Sequence, residues 1–149
     1  MKDLPKAQMA AHAESVYPAE CCGVLVDDAK GSLQYIPIEN IAGTLQSAAT
    51  STRSVRDGYV MDPKALMSAL ERAEERGGGL RAIVHSHPDV GAYFSAEDKR
   101  AALGGEAEPL WPGVDYLVVS CRNGRTDDLR IYRWDAVKRD FSEEILQLS

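Results

Sequence analysis

The hydrophobic positions in the first part of the chain follow a helical period and then a strand-like pattern. One apolar face at i, i+4, i+7 and i+8 is formed by Met9, Ala13, Val16 and Tyr17. This spacing predicts a helix, which Pro18 ends. Residues 22–28 and 32–38 are predicted to form two strands joined by a tight turn around Lys30 and Gly31. We therefore expect a helix followed by a β-hairpin.

The middle of the chain contains a long irregular segment and then a second helix. Residues 39–57 are rich in Ser, Thr, Ala and Gly without a clear period, which predicts a long loop. A short strand-like stretch follows at residues 58–62. The second helix begins at Pro63 and ends at three glycines, residues 77–79. Its apolar stripe consists of Leu66, Ala69, Leu70 and Ala73.

The second half of the chain predicts the centre of a sheet. Residues 80–85 are mostly apolar and partly β-branched, as in a central strand that is covered on both faces. A third helix is expected after Ser95, and later strands at residues 115–120, 128–134 and, less regularly, 137–148. Helices interleaved with strands predict a layered domain of mixed α/β (α+β) class.

Composition and charge limit the class of protein. The chain has 149 residues, 44% of them hydrophobic and 27% charged, which fits one globular domain spanning residues 1–149. The net charge of -6 and the lack of a basic stripe disfavour nucleic acid and membrane surfaces as partners. The first residues lack the apolar core of a signal peptide, and no apolar run approaches the roughly 20 residues of a membrane span. A cytoplasmic location is the resulting prediction.

The cysteines offer no disulfide framework. Cys21 and Cys22 are adjacent and Cys121 stands alone, so the chain contains no CxxC pair for metal or redox chemistry. We expect them to be reduced, with Cys22 and Cys121 buried as small apolar side chains.

Two of the three histidines form the densest chemical signal. His85 and His87 end the apolar strand, where alternate side chains point to the same face, so both imidazoles can reach one point. A catalytic zinc usually has three protein ligands and one open position. Asp98, in the first turn of the helix that follows Ser95, can turn back toward the histidines as the third ligand.

Each part of this pattern also has a purely structural explanation. Ser95 and Asp98 form S-x-x-D, a capping box that satisfies free donors at a helix start. Taken alone, His85 and His87 are explained more readily as surface or packing residues. A carboxylate beside two imidazoles suits zinc, and the spacing leaves iron and manganese open. Only the joint pattern favours a metal centre.

The combined segment resembles a known family motif. Residues 85–98 read H-S-H-P-x6-S-x-x-D, which is similar to the JAMM motif of the MPN-domain metalloproteases. That motif requires an upstream glutamate in a P-x-E-x-C-G-x-L setting, and PAECCGVL at residues 18–25 supplies Glu20. Residues 111–120 resemble the strand after the metal-binding helix in small prokaryotic members, so the likeness covers most of the chain. It implies an MPN-type fold with a central, mainly antiparallel or mixed sheet flanked by about three helices.

The resemblance implies a role for each motif residue. His85, His87 and Asp98 would coordinate one zinc ion per chain, Glu20 would act as general base toward the attacking water, and Ser95 would help hold the developing oxyanion. The implied activity is that of a zinc metallopeptidase or isopeptidase. Its substrate would be an amide bond at the C-terminal tail of a ubiquitin-like or sulfur-carrier protein, with the tail lying between residues 39–57 and 89–94.

Other readings stay open at this point. A peptidase of phage-tail assembly and a non-catalytic MPN scaffold share the fold, whereas a zinc deaminase would need H-x-E and P-C-x-x-C motifs that the chain lacks. The sequence leaves open whether the bond is a peptide or an isopeptide, and the oligomeric state. We expect His12, Asp89 and Glu97 to lie outside the site, and Tyr93 and Phe94 to pack their loop.

Overall fold

The computed structural model describes residues 3–47 and 54–148. Within these ranges the helices are α1 (Lys6–Val16), α2 (Pro63–Glu75) and α3 (Ala96–Leu103). The strands there are β1 (Cys22–Val26), β2 (Gln34–Ile38), β3 (Leu80–Pro88), β4 (Asp115–Arg122), β5 (Arg125–Asp135) and β6 (Asp140–Leu146). None of the described helices is long and apolar enough to cross a bilayer.

All six strands form one sheet in the order β2-β1-β3-β4-β5-β6. Only β3 and β4 run parallel, because α3 and its flanking loops carry the chain back between them. The other neighbours are antiparallel. The predicted mixed α/β class, with a mainly antiparallel sheet and three helices, is confirmed.

Helices cover both faces of this sheet. α1 buries Met9 and Ala13 against one face, where they join a cluster that includes Leu117 and Ile131. On the opposite face, α2 packs against β1 and β2, while α3 packs near β4 and β5. The central strand β3 is therefore shielded on both sides, as its continuous apolar run predicts.

The first hairpin has a longer connection than the predicted tight turn. β1 ends at Val26, because the Asp28 carboxylate accepts hydrogen bonds from the N–H groups of Lys30 and Ser32 at 2.8 and 3.0 Å. Asp27 turns toward the start of β3, where its carboxylate accepts from the Arg81 guanidinium at 2.6 Å. These side-chain bonds compete with the strand ladder, so the turn spans seven residues.

The expected strand at residues 58–62 is wrong in this structure. The segment contributes one isolated bridge, between Asn40 and Met61. Two main-chain groups of this segment bond to the Asn40 side chain instead of to a neighbouring strand. The Asn40 amide donates to the Gly58 carbonyl and accepts from the Val60 N–H. By contrast, the C-terminal tail is more regular than expected, because β6 forms a full hairpin with β5. Residues 48–53 of the predicted long loop lie outside the described residues.

Gly78 lies where the chain leaves α2, and a side chain there would collide with the main chain of Asp27. A Cβ built at Gly78 would lie 1.9 Å from the Asp27 carbonyl oxygen. We expect Gly78→Ala to lower the free energy of unfolding by about 1–3 kcal/mol, measured by urea denaturation. Gly79→Ala is the matched control, since nothing lies within 4 Å of its added Cβ. Equal losses in the two variants would contradict this explanation.

Candidate metal centre

The end of β3 brings two imidazoles together. His85 and His87 are both buried, and they lie on the face of the sheet that α2 and α3 cover. Their Nε2 atoms are 3.2 Å apart. The two rings converge because residues i and i+2 of a strand share one face.

A carboxylate completes the group from the first turn of α3. Asp98 is 4% exposed, and its Oδ2 atom lies 3.3 Å from the Nε2 atoms of both His85 and His87. The same Oδ2 atom accepts a hydrogen bond from the Ser95 N–H at 3.0 Å. The helix start therefore holds the carboxylate against both imidazoles.

These three atoms form a nearly equilateral triangle that fits a tetrahedral metal ion. Its edges are 3.2, 3.3 and 3.3 Å. In a tetrahedral zinc site with metal–ligand distances of about 2.0–2.1 Å, neighbouring ligand atoms lie about 3.3–3.4 Å apart. Two imidazoles and one carboxylate are also a donor set that zinc accepts, and three protein ligands leave one position open.

Neighbouring groups orient the imidazoles. The Nδ1 atom of His87 lies 3.0 Å from the Gly91 carbonyl oxygen, so it donates a hydrogen bond there, and the Nε2 atom faces the triangle and would bind a metal once it has lost its proton. His85 stacks on Tyr59 with ring centroids 4.7 Å apart. The ring of Tyr93 packs against His87 in an edge geometry, with ring centroids 5.0 Å apart. The rings are thus restrained before any ligand binds.

The electrostatics of the group favour charge pairing. Burial opposes the charged form of Asp98, but hydrogen bonds from both imidazoles outweigh it and hold the pKa of Asp98 far below its usual range. Burial likewise opposes the imidazolium of His87, but the hydrogen bonds with Asp98 and the Gly91 carbonyl raise the pKa of His87 above its ordinary value. The carboxylate is therefore ionised in the neutral pH range, as a metal ligand must be.

Glu20 approaches the histidines from the connection between α1 and β1. It is 6% exposed, and its carboxylate and the ring nitrogens of His85 and His87 all lie within 4.8 Å of one another. The structure therefore brings together Glu20, His85, His87 and Asp98, the four residues predicted to bind the metal or act as base. Buried acids and bases that cluster in this way are typical of functional sites.

Ser95 has the capping geometry that its spacing predicts. Its Oγ atom accepts a hydrogen bond from the Asp98 N–H at 3.0 Å, and the Asp98 carboxylate bonds back to the Ser95 N–H. The capping box is therefore present. Because the box joins Ser95 directly to the Asp98 ligand, capping and a place beside the metal triangle are compatible.

Two residues that were not among the predicted site residues, Ser86 and Asn40, support the site. Ser86 points away from the histidines, and its Oγ accepts from the Cys21 N–H at 2.8 Å, which ties the residue after Glu20 to β3. Asn40 donates to the Glu20 carbonyl at 2.9 Å from the irregular segment after β2. The polar residue within H-S-H was a visible hint of the first contact, whereas nothing in the sequence indicates the second.

The residues expected to lie outside the site have structural roles. His12 is half-buried, with its Nδ1 atom 2.7 Å from the Tyr35 hydroxyl. Glu97 is exposed and pairs with Arg100. Asp89 is more than a solvated residue, since its carboxylate accepts from the Tyr17 hydroxyl at 2.6 Å and from the Asn123 N–H at 2.9 Å. It anchors the loop that follows β3.

Phe94 and Tyr93, in the loop after β3, have different environments. Phe94 is buried among the rings of Tyr116, Tyr132 and Phe141, which confirms that it packs the loop. Tyr93 is half-exposed with its ring against His87, so it belongs to the rim of the candidate centre.

The three cysteines are free and buried. Burial raises the pKa of the Cys21 thiol to about 11, so this neighbour of Glu20 is a neutral thiol at physiological pH.

Comparisons with known proteins relate the chain to a family and to individual relatives. A family model described as prokaryotic homologs of the JAB domain matches residues 6–135. A desampylase from Haloferax volcanii is 33% identical over 105 residues, 69% of this chain and 63% of that protein. Tail tip assembly protein K from Escherichia phage N15 is 32% identical over 89 residues, 60% of this chain and 30% of that protein.

A solved structure shares the fold over nearly the whole chain. The solution structure of a protein from Salinibacter ruber superposes with a TM-score of 0.62 at 25% sequence identity, covering 97% of this chain and 88% of that one. The chain spans less than two thirds of the length of the two curated relatives that it matches.

Proposed function

Because the chain belongs to the family of prokaryotic homologs of the JAB domain, we propose that it is a zinc-dependent peptidase or isopeptidase acting on the C-terminal tail of a ubiquitin-like or sulfur-carrier protein. The family membership confirms the JAMM/MPN resemblance of the sequence. The observation that carries the proposal is the triangle of His85, His87 and Asp98, with the Glu20 carboxylate beside it.

The substrate class rests on the relatives. The desampylase from Haloferax volcanii is 33% identical over 69% of this chain, and its name favours a ubiquitin-like modifier as substrate. The site chemistry is consistent with this, since amide hydrolysis needs an electrophile, a base and an oxyanion donor.

His85, His87 and Asp98 would hold the zinc ion through the three atoms of the triangle. When bound, zinc supplies Lewis acidity and lowers the pKa of water from 15.7 to about 7. Glu20 accepts a proton from the attacking water and passes it to the leaving amine nitrogen. A carbon–oxygen bond forms, the amide carbon–nitrogen bond breaks, and the products are a carboxylate and an amine.

Ser95 donates a hydrogen bond to the carbonyl oxygen of the substrate. Its Oγ atom accepts from the Asp98 N–H through a lone pair, which leaves its own hydrogen to donate to the developing oxyanion. A donor in this position typically contributes about 10²–10³-fold in rate.

Exposed side chains in the loop after β3 and in the 39–57 segment are candidate contacts for an extended tail. Val90 and Tyr93 are exposed apolar residues in the loop after β3, and Leu45 is exposed in the 39–57 segment. We infer that the tail passes beside Tyr93, whose ring packs against His87, so that its last amide bond can reach Glu20 and the metal ligands. This part of the proposal rests on exposure and on the position of Tyr93 against His87.

The test is cleavage of a tailed substrate. Zinc-loaded protein is incubated with ubiquitin-like and sulfur-carrier proteins joined to a reporter through a peptide bond or a lysine isopeptide bond. We expect the protein to release the reporter, to lose this cleavage activity after chelation and to regain it with added zinc. Gel electrophoresis and mass spectrometry detect the released reporter. A substrate lacking the tail residues is the control.

Failure of the zinc-loaded protein to cleave any of these substrates would contradict the proposed substrate class. The match to the tail tip assembly protein then favours the second candidate, a peptidase of phage-tail assembly. A non-catalytic scaffold has less support, since the described residues keep both imidazoles and both carboxylates together.

A further inference from the structure

The candidate base and the candidate metal ligands have different supports. His85 and His87 are held by the ladder of β3, and Asp98 by the first turn of α3. Glu20 lies outside the sheet, two residues before β1. Its N–H donates to the Val55 carbonyl at 2.6 Å and its carbonyl accepts from Asn40 at 2.9 Å.

The Asn40 carboxamide makes four hydrogen bonds, which link Glu20 to the segments around residues 42 and 58–60. Its Nδ2 group donates to the carbonyls of Glu20 and Gly58 at 2.9 and 3.0 Å. Its Oδ1 atom accepts from the N–H groups of Ala42 and Val60 at 3.1 and 3.0 Å. Both donors and both lone pairs of the amide are therefore occupied.

The same contacts place an aromatic ring on a metal ligand. Tyr59 lies between Gly58 and Val60, whose main-chain groups both bond to Asn40. Its ring stacks on His85 at 4.7 Å between centroids and at an interplanar angle of 25°. One side chain thus links the main chain of Glu20 to the segment that packs on His85.

We propose that Asn40 is a positioning residue of the active site, which holds the Glu20 carboxylate in register with the metal ligands. The inference rests on the proposed function, in which Glu20 is the general base. A base must lie within hydrogen-bond reach of the proton that it takes. A displacement of about 1 Å can reduce the rate by about 10²-fold.

An aspartate at position 40 removes the donor contacts of Asn40 while it keeps the acceptor contacts. Asn40→Asp keeps the shape of the side chain and an oxygen for the N–H groups of Ala42 and Val60. It replaces the Nδ2 donor with an oxygen that faces the carbonyls of Glu20 and Gly58, and these repel it. The chain has one other asparagine, Asn123, in the exposed turn between β4 and β5, and Asn123→Asp is the matched control.

The first arm of the experiment needs no substrate. Hydrogen exchange and zinc content are measured on the full zinc-loaded chain, wild type and both variants. In Asn40→Asp we expect about tenfold faster exchange at the Glu20 N–H, because loss of the hydrogen bond to the Glu20 carbonyl loosens the residue whose N–H bonds to the Val55 carbonyl. We expect unchanged exchange in β3 and β4 and about one zinc per chain. If the Glu20 N–H exchanges at the same rate in Asn40→Asp as in wild type, the proposal is overturned.

The second arm separates positioning of the base from general destabilisation. We expect Asn40→Asp to lower kcat by about 10–100-fold with KM little changed, and Asn123→Asp to match wild type. In a Glu20→Gln background the same substitution should have less than about a threefold effect, because the base that it positions is gone. An equal fold loss in both backgrounds would overturn the proposal.

The two arms also distinguish this inference from the proposed function. If wild-type protein cleaves none of the tailed substrates, the proposed function fails, while exchange at Glu20 still decides whether Asn40 orders that residue. If wild type cleaves and Asn40→Asp cleaves equally well, the positioning role fails and the function stands.

Discussion

A Glu20→Gln variant is expected to cleave the tailed substrate about 10²–10⁴-fold more slowly than wild type while keeping its zinc. Glutamine has nearly the same shape as glutamate, so the buried position stays filled, but its amide cannot accept the proton of the attacking water. The measurement is kcat under saturating substrate, together with zinc content by elemental analysis. If Glu20→Gln keeps its zinc but loses turnover, Glu20 acts as a base and not as a metal ligand.

The matched control is Glu97→Gln, the same change at an exposed carboxylate next to Asp98 in the motif segment. It should keep both zinc and turnover, because Glu97 pairs with Arg100 at the surface. If Glu20→Gln loses zinc together with activity, Glu20 is a metal ligand and its assignment as base is wrong. The structure leaves room for this outcome, since a Glu20 carboxylate oxygen lies within 4.8 Å of a ring nitrogen of each of His85 and His87.

Removal of His87 or Asp98 is expected to abolish metal binding. We expect His87→Ala and Asp98→Ala to lose more than about 100-fold in zinc affinity, because loss of a supporting outer-shell contact alone costs about 10–100-fold. Cleavage should fall to background in both. Elemental analysis after dialysis at matched protein concentration measures the loss, and circular dichroism confirms that each variant is folded.

His12→Ala is the control for loss of a histidine outside the centre. It should retain about one zinc per chain, since His12 lies on α1 and contacts Tyr35 of β2 rather than the metal triangle. Asp98→Ala also removes half of the capping box of α3, whereas His87→Ala leaves that helix start intact. Wild-type zinc content in His87→Ala would contradict the proposed ligand set regardless of how Asp98→Ala folds.

Local signals were sufficient for most of the helices and strands. α2 begins at Pro63 and its end is marked by Gly77 with φ of 81°, a conformation that glycine adopts without strain. β4 is a continuous buried run, as expected for a strand covered on both faces. These elements depend on residues that are neighbours in sequence, so their pattern is visible before the fold is known.

The predicted strand at residues 58–62 failed for a non-local reason. Its apolar and β-branched residues suit a strand, but Asn40 takes the Gly58 carbonyl and the Val60 N–H. A side chain some twenty residues earlier thus replaces a ladder partner. Propensity cannot anticipate this competition, because it depends on which segments meet in three dimensions.

The sequence by itself determined the family, the mixed fold class and the residue types that could form a metal centre. It could do so because H-x-H on a strand and S-x-x-D at a helix start are local patterns with fixed geometry. The family resemblance predicted a role for Glu20, but only the tertiary structure shows that its carboxylate, 65 residues before His85, lies within 4.8 Å of a ring nitrogen of each histidine. Only the tertiary structure shows, too, that Asn40 bonds to Glu20 and that Tyr59 stacks on His85. Those contacts arise when separate segments pack against the sheet, and hydrogen bonds between such segments leave no periodic trace in the chain.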